Sequence, residues 1–113
     1  MNYDIVFHVD LDEQKILKIA IANIDNYYKA IEEKKAEVVL LINGPAVNLI
    51  KKEVAPQELS LLQNKGLSIR VCQNAINNFS LTKEMLLDNI DVVPAGVVEL
   101  VRLQNEHFSY VKP

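Results

Sequence analysis

The chain carries one thiol. Cys72 closes the run Leu67-Ser68-Ile69-Arg70-Val71-Cys72, and Gln73-Asn74-Ala75 follows it. A thiol attacks as its thiolate, and a strand passing into a helix offers unpaired N–H groups and a partial positive charge that favour that form. The spacing predicts a Cys72 at least partly accessible at the strand end, with its sulfur near the backbone N–H groups of Gln73 to Ala75, alkylating faster than an unperturbed cysteine. A second reading stays open, because free cysteines are among the most buried residues and pack as small hydrophobes. His8, in Val6-Phe7-His8-Val9, has the chemistry to hydrogen-bond a thiolate or shuttle a proton; its alternative is a plain bond to a loop carbonyl. His107 carries no assigned role. Asn43-Gly44-Pro45 and Pro94-Ala95-Gly96 are the remaining candidates. Neither matches a glycine-rich phosphate fingerprint, so both read as tight strand-to-helix turns. No Cys/His/carboxylate spacing resembles a zinc site, and no Ser-His-Asp set is present. The sequence implies no metal and no cofactor.

These residues need a frame. Tyr3 to Val9 reads as a buried strand. Asp10 with Glu13 three residues on is an acidic variant of the capping box, predicting a helix start there. Leu17, Ala20, Ile24, Tyr27 and Ile31 then repeat at three-four spacing over about five turns. Val38-Val39-Leu40-Leu41-Ile42 is an unbroken aliphatic run, the mark of a central parallel strand. Pro45 suits a helix start, and Val47, Ile50 and Val54 give that helix its stripe. Pro56 opens another helix through Leu59 and Leu62, ending at Gly66. A strand at 67–72 follows, then a short turn or helix from Gln73 to Phe79 and a helix capped by Ser80 or Thr82 through Asp88. A strand at 90–93, a helix carrying Val97, Leu100, Val101 and Gln104, and a last strand from His107 to Val111 complete the pattern. Strands alternating with helices predict an α/β fold: a three-layer α/β/α sandwich around a mostly parallel sheet of about five strands, as a single domain over residues 1–113. Ligands of such sheets bind beyond the carboxyl ends of the strands. That rule gathers Cys72, His8, Asn43, Gly44, Gln73, Asn74, Pro94 and Gly96 on one rim.

Composition narrows the function classes. Half of the 113 residues are hydrophobic but only 6% are aromatic, so the core is aliphatic, as a buried parallel sheet requires. Twelve basic against fifteen acidic side chains give a net charge of −3. With no Lys/Arg run, nucleic-acid binding is disfavoured, because phosphate neutralisation supplies most of that affinity. The Glu32-Glu33-Lys34-Lys35 cluster reads as a solvated helix end. No apolar run reaches the ~18 residues of a membrane span, and the N-terminus lacks the features of a signal peptide. No membrane contact and a cytoplasmic location are expected, and a lone cysteine suits a reducing compartment.

Several segments together suggest a family. Val71-Cys72-Gln73-Asn74-Ala75 resembles the motif of the DsrE/DsrF-like superfamily in which a hydrophobic strand ends in Cys with Ala three residues later. Val93-Pro94-Ala95-Gly96-Val97-Val98-Glu99-Leu100 with Arg102-Leu103-Gln104 is similar to that superfamily's last strand-helix unit, and Tyr110-Val111-Lys112-Pro113 to the chain end of its small stand-alone members. Val6-Phe7-His8-Val9 and Asn43-Gly44-Pro45-Ala46-Val47 fit the same subgroup, so the resemblance spans essentially the whole chain. It implies a homo-oligomer, a trimer or hexamer. It also implies, for the sulfur-relay branch, a cysteine that accepts sulfur as a persulfide and passes it to a partner; that cysteine maps to Cys72. The relay branch continues Cys-x-x-Ala-x-x-Arg-Gly, whereas this chain keeps Ala75 but has Asn78-Phe79, which removes a cation near the thiol. The resulting expectation is a sulfur-carrier-like protein without independent turnover, exchanging sulfur with a sulfurtransferase or a sulfur acceptor protein. The alternatives are a non-catalytic oligomeric module binding a small ligand at the rim, or a thiol enzyme using Cys72 with His8. Val97, Val98, Val101 and Leu103 encircle more of the last helix than one buried stripe uses, which supports self-association.

Overall fold

The computed structural model describes all 113 residues. In chain order it contains β1 (Ile5–Val9), α1 (Gln14–Ile31), β2 (Val38–Ile42), a 3-10 segment (Gly44–Ile50), α2 (Gln57–Asn64), β3 (Ser68–Cys72), α3 (Gln73–Asn78), a 3-10 turn (Lys83–Met85), β4 (Asp91–Val93), α4 (Gly96–Asn105) and β5 (Ser109–Val111). The five strands form one sheet in the order β4-β3-β2-β1-β5. Every neighbouring pair is parallel, so the sheet is wholly rather than mostly parallel. Helices cover both faces. No helix is long and apolar enough to cross a membrane.

The strand order dictates which helix lies where. From β1 to β4 the chain steps across the sheet in one direction, and right-handed crossovers put all the connecting helices on one face. The last crossover returns from β4 across the whole sheet to β5. The same hand with the opposite direction forces α4 onto the other face, alone. The packing follows this split. Ile5, Phe7, Val9, Leu40, Ile42, Ile69 and Val71 join residues of α1, α2, α3 and the first 3-10 segment in a cluster of 23 buried residues. Under α4 a cluster of six holds Val6, Val39, Leu41, Leu100, Leu103 and Phe108. Alternation along each strand supplies both sets.

Four local expectations need correction. Helix α1 begins at Gln14 and its Glu13 cap makes no side-chain capping bond; Asp10 is paired with Lys112 at the end of β5 instead. Residues 44–50 wind as a 3-10 helix, and Val54 lies outside it and is exposed. Between Thr82 and Asp88 only one 3-10 turn forms, because Leu86 is drawn into the core beside an antiparallel bridge to Lys51. His107 precedes β5 in a turn with φ of 68°, where the last strand was expected to begin.

Leu40 is fully buried at the centre of β2. Its truncation to alanine leaves a void the strand cannot close, so Leu40→Ala should lower unfolding stability by about 2–5 kcal/mol in a denaturant titration. A loss below about 1 kcal/mol would show that the centre of the sheet is not the packed element described.

Candidate functional site

A parallel sheet brings all its carboxyl ends to one edge. Here they are Val9, Ile42, Cys72, Val93 and Val111. Asn43 continues β2, its N–H donating to the Val9 carbonyl at 3.0 Å, and its Oδ1 accepts from the Gly44 N–H at 3.0 Å. Gly44 turns the chain with φ of 54°, and a Cβ there would lie 3.4 Å from the Asp10 carbonyl oxygen. The first turn of α4 presses on the same place: a Cβ on Gly96 would come within 2.9 Å of the Asn43 side chain. Asp10, Asn43, Gly44 and Gly96 therefore meet, and the two glycines are what let two turns close on one asparagine. Gln73 sits on the α3 side with its amide donating to Asn77 at 2.9 Å. Asn74 and Pro94 are exposed.

Cys72 is in register with Val93. The chain leaves β3 toward the multi-helix face and leaves β4 toward the α4 face. The junction between the ends of β3 and β4, at Cys72 and Val93, is thus the topological switch point of the sheet, the position at which open α/β sheets take ligands. The thiol is free and buried, only 4% exposed. The expected cradle of N–H groups is absent: Cys72 is the N-cap of α3 with no side-chain capping bond. Its backbone is still extended, and its side chain packs into the large core cluster. The expected accessibility is absent as well. Arg70 is the nearest cation on β3. Its Nε donates to Ser68 Oγ at 3.2 Å and its Nη1 to Glu99 Oε2 at 2.6 Å, so the guanidinium is turned back along the strand.

His8 lies elsewhere. It is 7% exposed on the α4 face of β1, and its Nδ1 is 2.7 Å from the Tyr110 hydroxyl on β5. Strand β2 separates β1 from β3, which sets His8 roughly 10 Å sideways from Cys72, and its hydrogen bond points the opposite way. The two residues form no dyad within one chain. His8 Nε2 is buried without a partner. Burial pushes the His8 pKa down; the Asp10 charge opposes this and the Lys112 charge adds to it.

Two groups at or beside the rim were not among the sequence candidates. Asp10, held below the usual carboxylate range mainly by its hydrogen bond from Lys112, ties the ends of β1 and β5. Glu99, held low mainly by Arg102 and also by Arg70, pins α4 to β3. A signal for the second existed: Glu99 is the lone acid on the inward side of α4, and Arg70 the lone charge in β3. No group of three or more His, Cys, Asp or Glu side chains is placed to hold a metal. The larger surface groove, about 720 Å³, lies between α1 and α2, with Ile21, Leu61 and Leu62 in its lining and away from the rim.

The DsrE/DsrF-like family profile matches residues 6–113. The chain belongs to the DsrE/DsrF-like family. Among solved structures it is similar to a protein of unknown function from Methanobacterium thermoautotrophicum (TM-score 0.92, 26% identity, covering 99% of this chain and 100% of that one). The ychN protein of E. coli shares the fold at 13% identity with a TM-score of 0.79, each chain covered completely. A conserved protein of unknown function from Bacteroides thetaiotaomicron does so at 12% identity and 0.72, with 97% of this chain and 94% of that one covered. No protein of curated function matches.

The Gly96–Asn43 contact makes a testable claim. Gly96→Ala should destabilise by about 1–3 kcal/mol, because its methyl displaces the asparagine from the Gly44 N–H. In an Asn43→Ala background the same change should cost much less. Equal losses in both backgrounds, measured by denaturant unfolding, would rule out the contact as the cause.

Proposed function

We propose that this DsrE-like protein is a sulfur carrier whose Cys72 accepts sulfur as a persulfide and hands it to a second protein. The observation that carries this reading is the position of the only thiol at the switch point of the sheet, between the divergent exits of β3 and β4. In the accepting step the Cys72 thiolate attacks the outer sulfur of a donor persulfide. A new S–S bond forms on Cys72, the donor's S–S bond breaks, and the donor leaves as a thiolate. Delivery is the same exchange with the acceptor's thiolate as nucleophile. One cysteine suffices, since the other sulfurs come from partners: a sulfurtransferase on one side, an acceptor protein on the other.

The bare cap and the turned-away Arg70 leave the free chain without a built-in activator of Cys72. A donor protein that docks at this junction must therefore expose Cys72 and supply the charge that favours a thiolate. The protein is a delivery vessel on this reading and has no turnover of its own.

Self-association belongs to the same proposal. Val97, Val98 and Val101 on the outer side of α4 are 63%, 64% and 59% exposed, and α4 is the only helix on its face. Three exposed valines on one helix face favour association in water. A homotrimer or homohexamer covers them. The reading of a non-catalytic oligomeric binding module is favoured by one observation, the burial of Cys72.

Mass spectrometry after incubation with a persulfide donor protein should show the added mass of one sulfur on the wild-type chain and none on Cys72→Ser. No adduct on the native protein, with ready labelling once it is denatured, would leave the binding module as the surviving reading. Light scattering at micromolar concentration should report a trimer or hexamer, and Val98→Glu should lower the mass toward a single chain. A wild-type monomer would overturn the assembly.

A further inference from the structure

Strand β5 has three residues and pairs with β1 alone, through Ile5–Ser109, Val6–Tyr110 and Phe7–Val111. Val111 also packs at the edge of the large cluster, and the Ser109 N–H donates to the Asp4 carbonyl at 3.0 Å. Phe108 is buried under α4, Asn2 donates to the His107 carbonyl at 2.9 Å, Lys112 is paired with Asp10, and Tyr110 shares a hydrogen bond with His8. The last is unlike the rest, since the strand is fastened through a buried imidazole whose second nitrogen has neither a partner nor contact with solvent.

We propose that His8 and Tyr110 form a pH-sensitive latch: β5 is held while His8 is neutral and released when His8 takes up a proton. The geometry explains why. Neutral imidazole leaves one nitrogen unsatisfied, a modest cost. The imidazolium still donates from Nδ1 to the Tyr110 oxygen, but its Nε2–H then carries part of a full charge with no acceptor. The neighbouring positions on that sheet face offer none: Val6 precedes it on β1 and Leu41 is in register on β2. The Asp10 charge favours the imidazolium, but only in part offsets the cost of burial. Asp10 is engaged by Lys112, whose own charge opposes a cation at His8. Arg70 from β3 and Glu99 and Arg102 from α4 are bonded to one another. Relief comes from letting the ring reach water, and Tyr110, 40% exposed on the edge strand, is the part free to move.

The sign and window follow from linkage. Burial depresses the latched pKa, so acidification favours the open form in which His8 titrates normally. With an open-state value of about 6.5, the open population should grow on going from about pH 7.5 to about pH 5, by at most roughly 30-fold. Asp10 stays charged across that window because Lys112 holds its pKa below the usual range.

Hydrogen exchange read by mass spectrometry as protection factors tests this. In the wild type the 108–113 segment should lose protection several-fold between about pH 7.5 and about pH 5, with β2 unchanged. His8→Asn keeps a donor near the Nδ1 position and should abolish the pH response. His107→Asn, at an exposed turn, should leave it intact. Tyr110→Phe should loosen β5 already at neutral pH. The latch is overturned by equal wild-type protection at both pH values, by a parallel loss in β2, or by an undiminished response in His8→Asn. Should His8→Asn fail to fold, full wild-type protection of β5 in Tyr110→Phe at neutral pH is equally decisive against it.

Discussion

Strand β2 is covered on both faces, and the rest of the molecule is arranged around that requirement. Val38, Leu40 and Ile42 pack into the large cluster; Val39 and Leu41 pack under α4; none of the five is more than 1% exposed. A strand with no wet side must be flanked by strands in register and roofed on each face. The in-register ladders Val6–Val39–Ser68 and His8–Leu41–Arg70 meet the first demand. The second is met unequally, by α1, α2, α3 and a 3-10 segment on one face and by α4 alone on the other.

That inequality explains the polar features of the α4 face. One helix is about 10 Å across, while five strands at 4.7–4.9 Å spacing are roughly twice as wide. Helix α4 therefore covers the middle strands and leaves the flanks to polar groups. On the β3 flank, Arg70 and Ser68 meet Glu99 and Asp91 in a bonded network. On the β5 flank, His8 and Tyr110 occupy the positions that aliphatic residues fill elsewhere. The multi-helix face needs no such devices, and its positions in β1 to β4 are apolar.

The sheet was legible in the sequence because its signals are periodic and redundant. The aliphatic run at 38–42, the alternation at 68–72 and the helical spacing from Leu17 to Ile31 each leave one reading. The strand order was not legible, since it is fixed by which loops can close and not by any residue. Local caps failed for a related reason. Asp10 has the right spacing to cap α1, but Lys112, about a hundred residues on, competes for it, and a tertiary ion pair is invisible to a four-residue motif. The same holds for the site. Asn43, Gly44 and Gly96 were placed on the rim by strand-end counting, yet their mutual contact arises from α4 docking on the opposite side of the sheet from the helices that precede it. Tyr110 carries no local signal of its role, because its partner His8 lies at the other end of the sequence.

The same topology separates the two groups with chemistry. Strand-end counting alone places His8 and Cys72 on a common rim, but His8 stands beside Val6 on the α4 side of β1 while Cys72 packs into the large cluster on the other face. The strand order inserts β2 between them and β5 beyond His8, so the histidine finds its partner on the outer edge while the cysteine stays buried at the end of β3. A histidine hydrogen-bonded away from the thiol cannot draw off its proton, and Arg70, committed to Glu99, cannot supply the missing cation. What remains around Cys72 is a shape: a buried sulfur at the point where the chain departs toward opposite faces. On the proposed carrier reading, such a thiol would react once a docking partner exposes it.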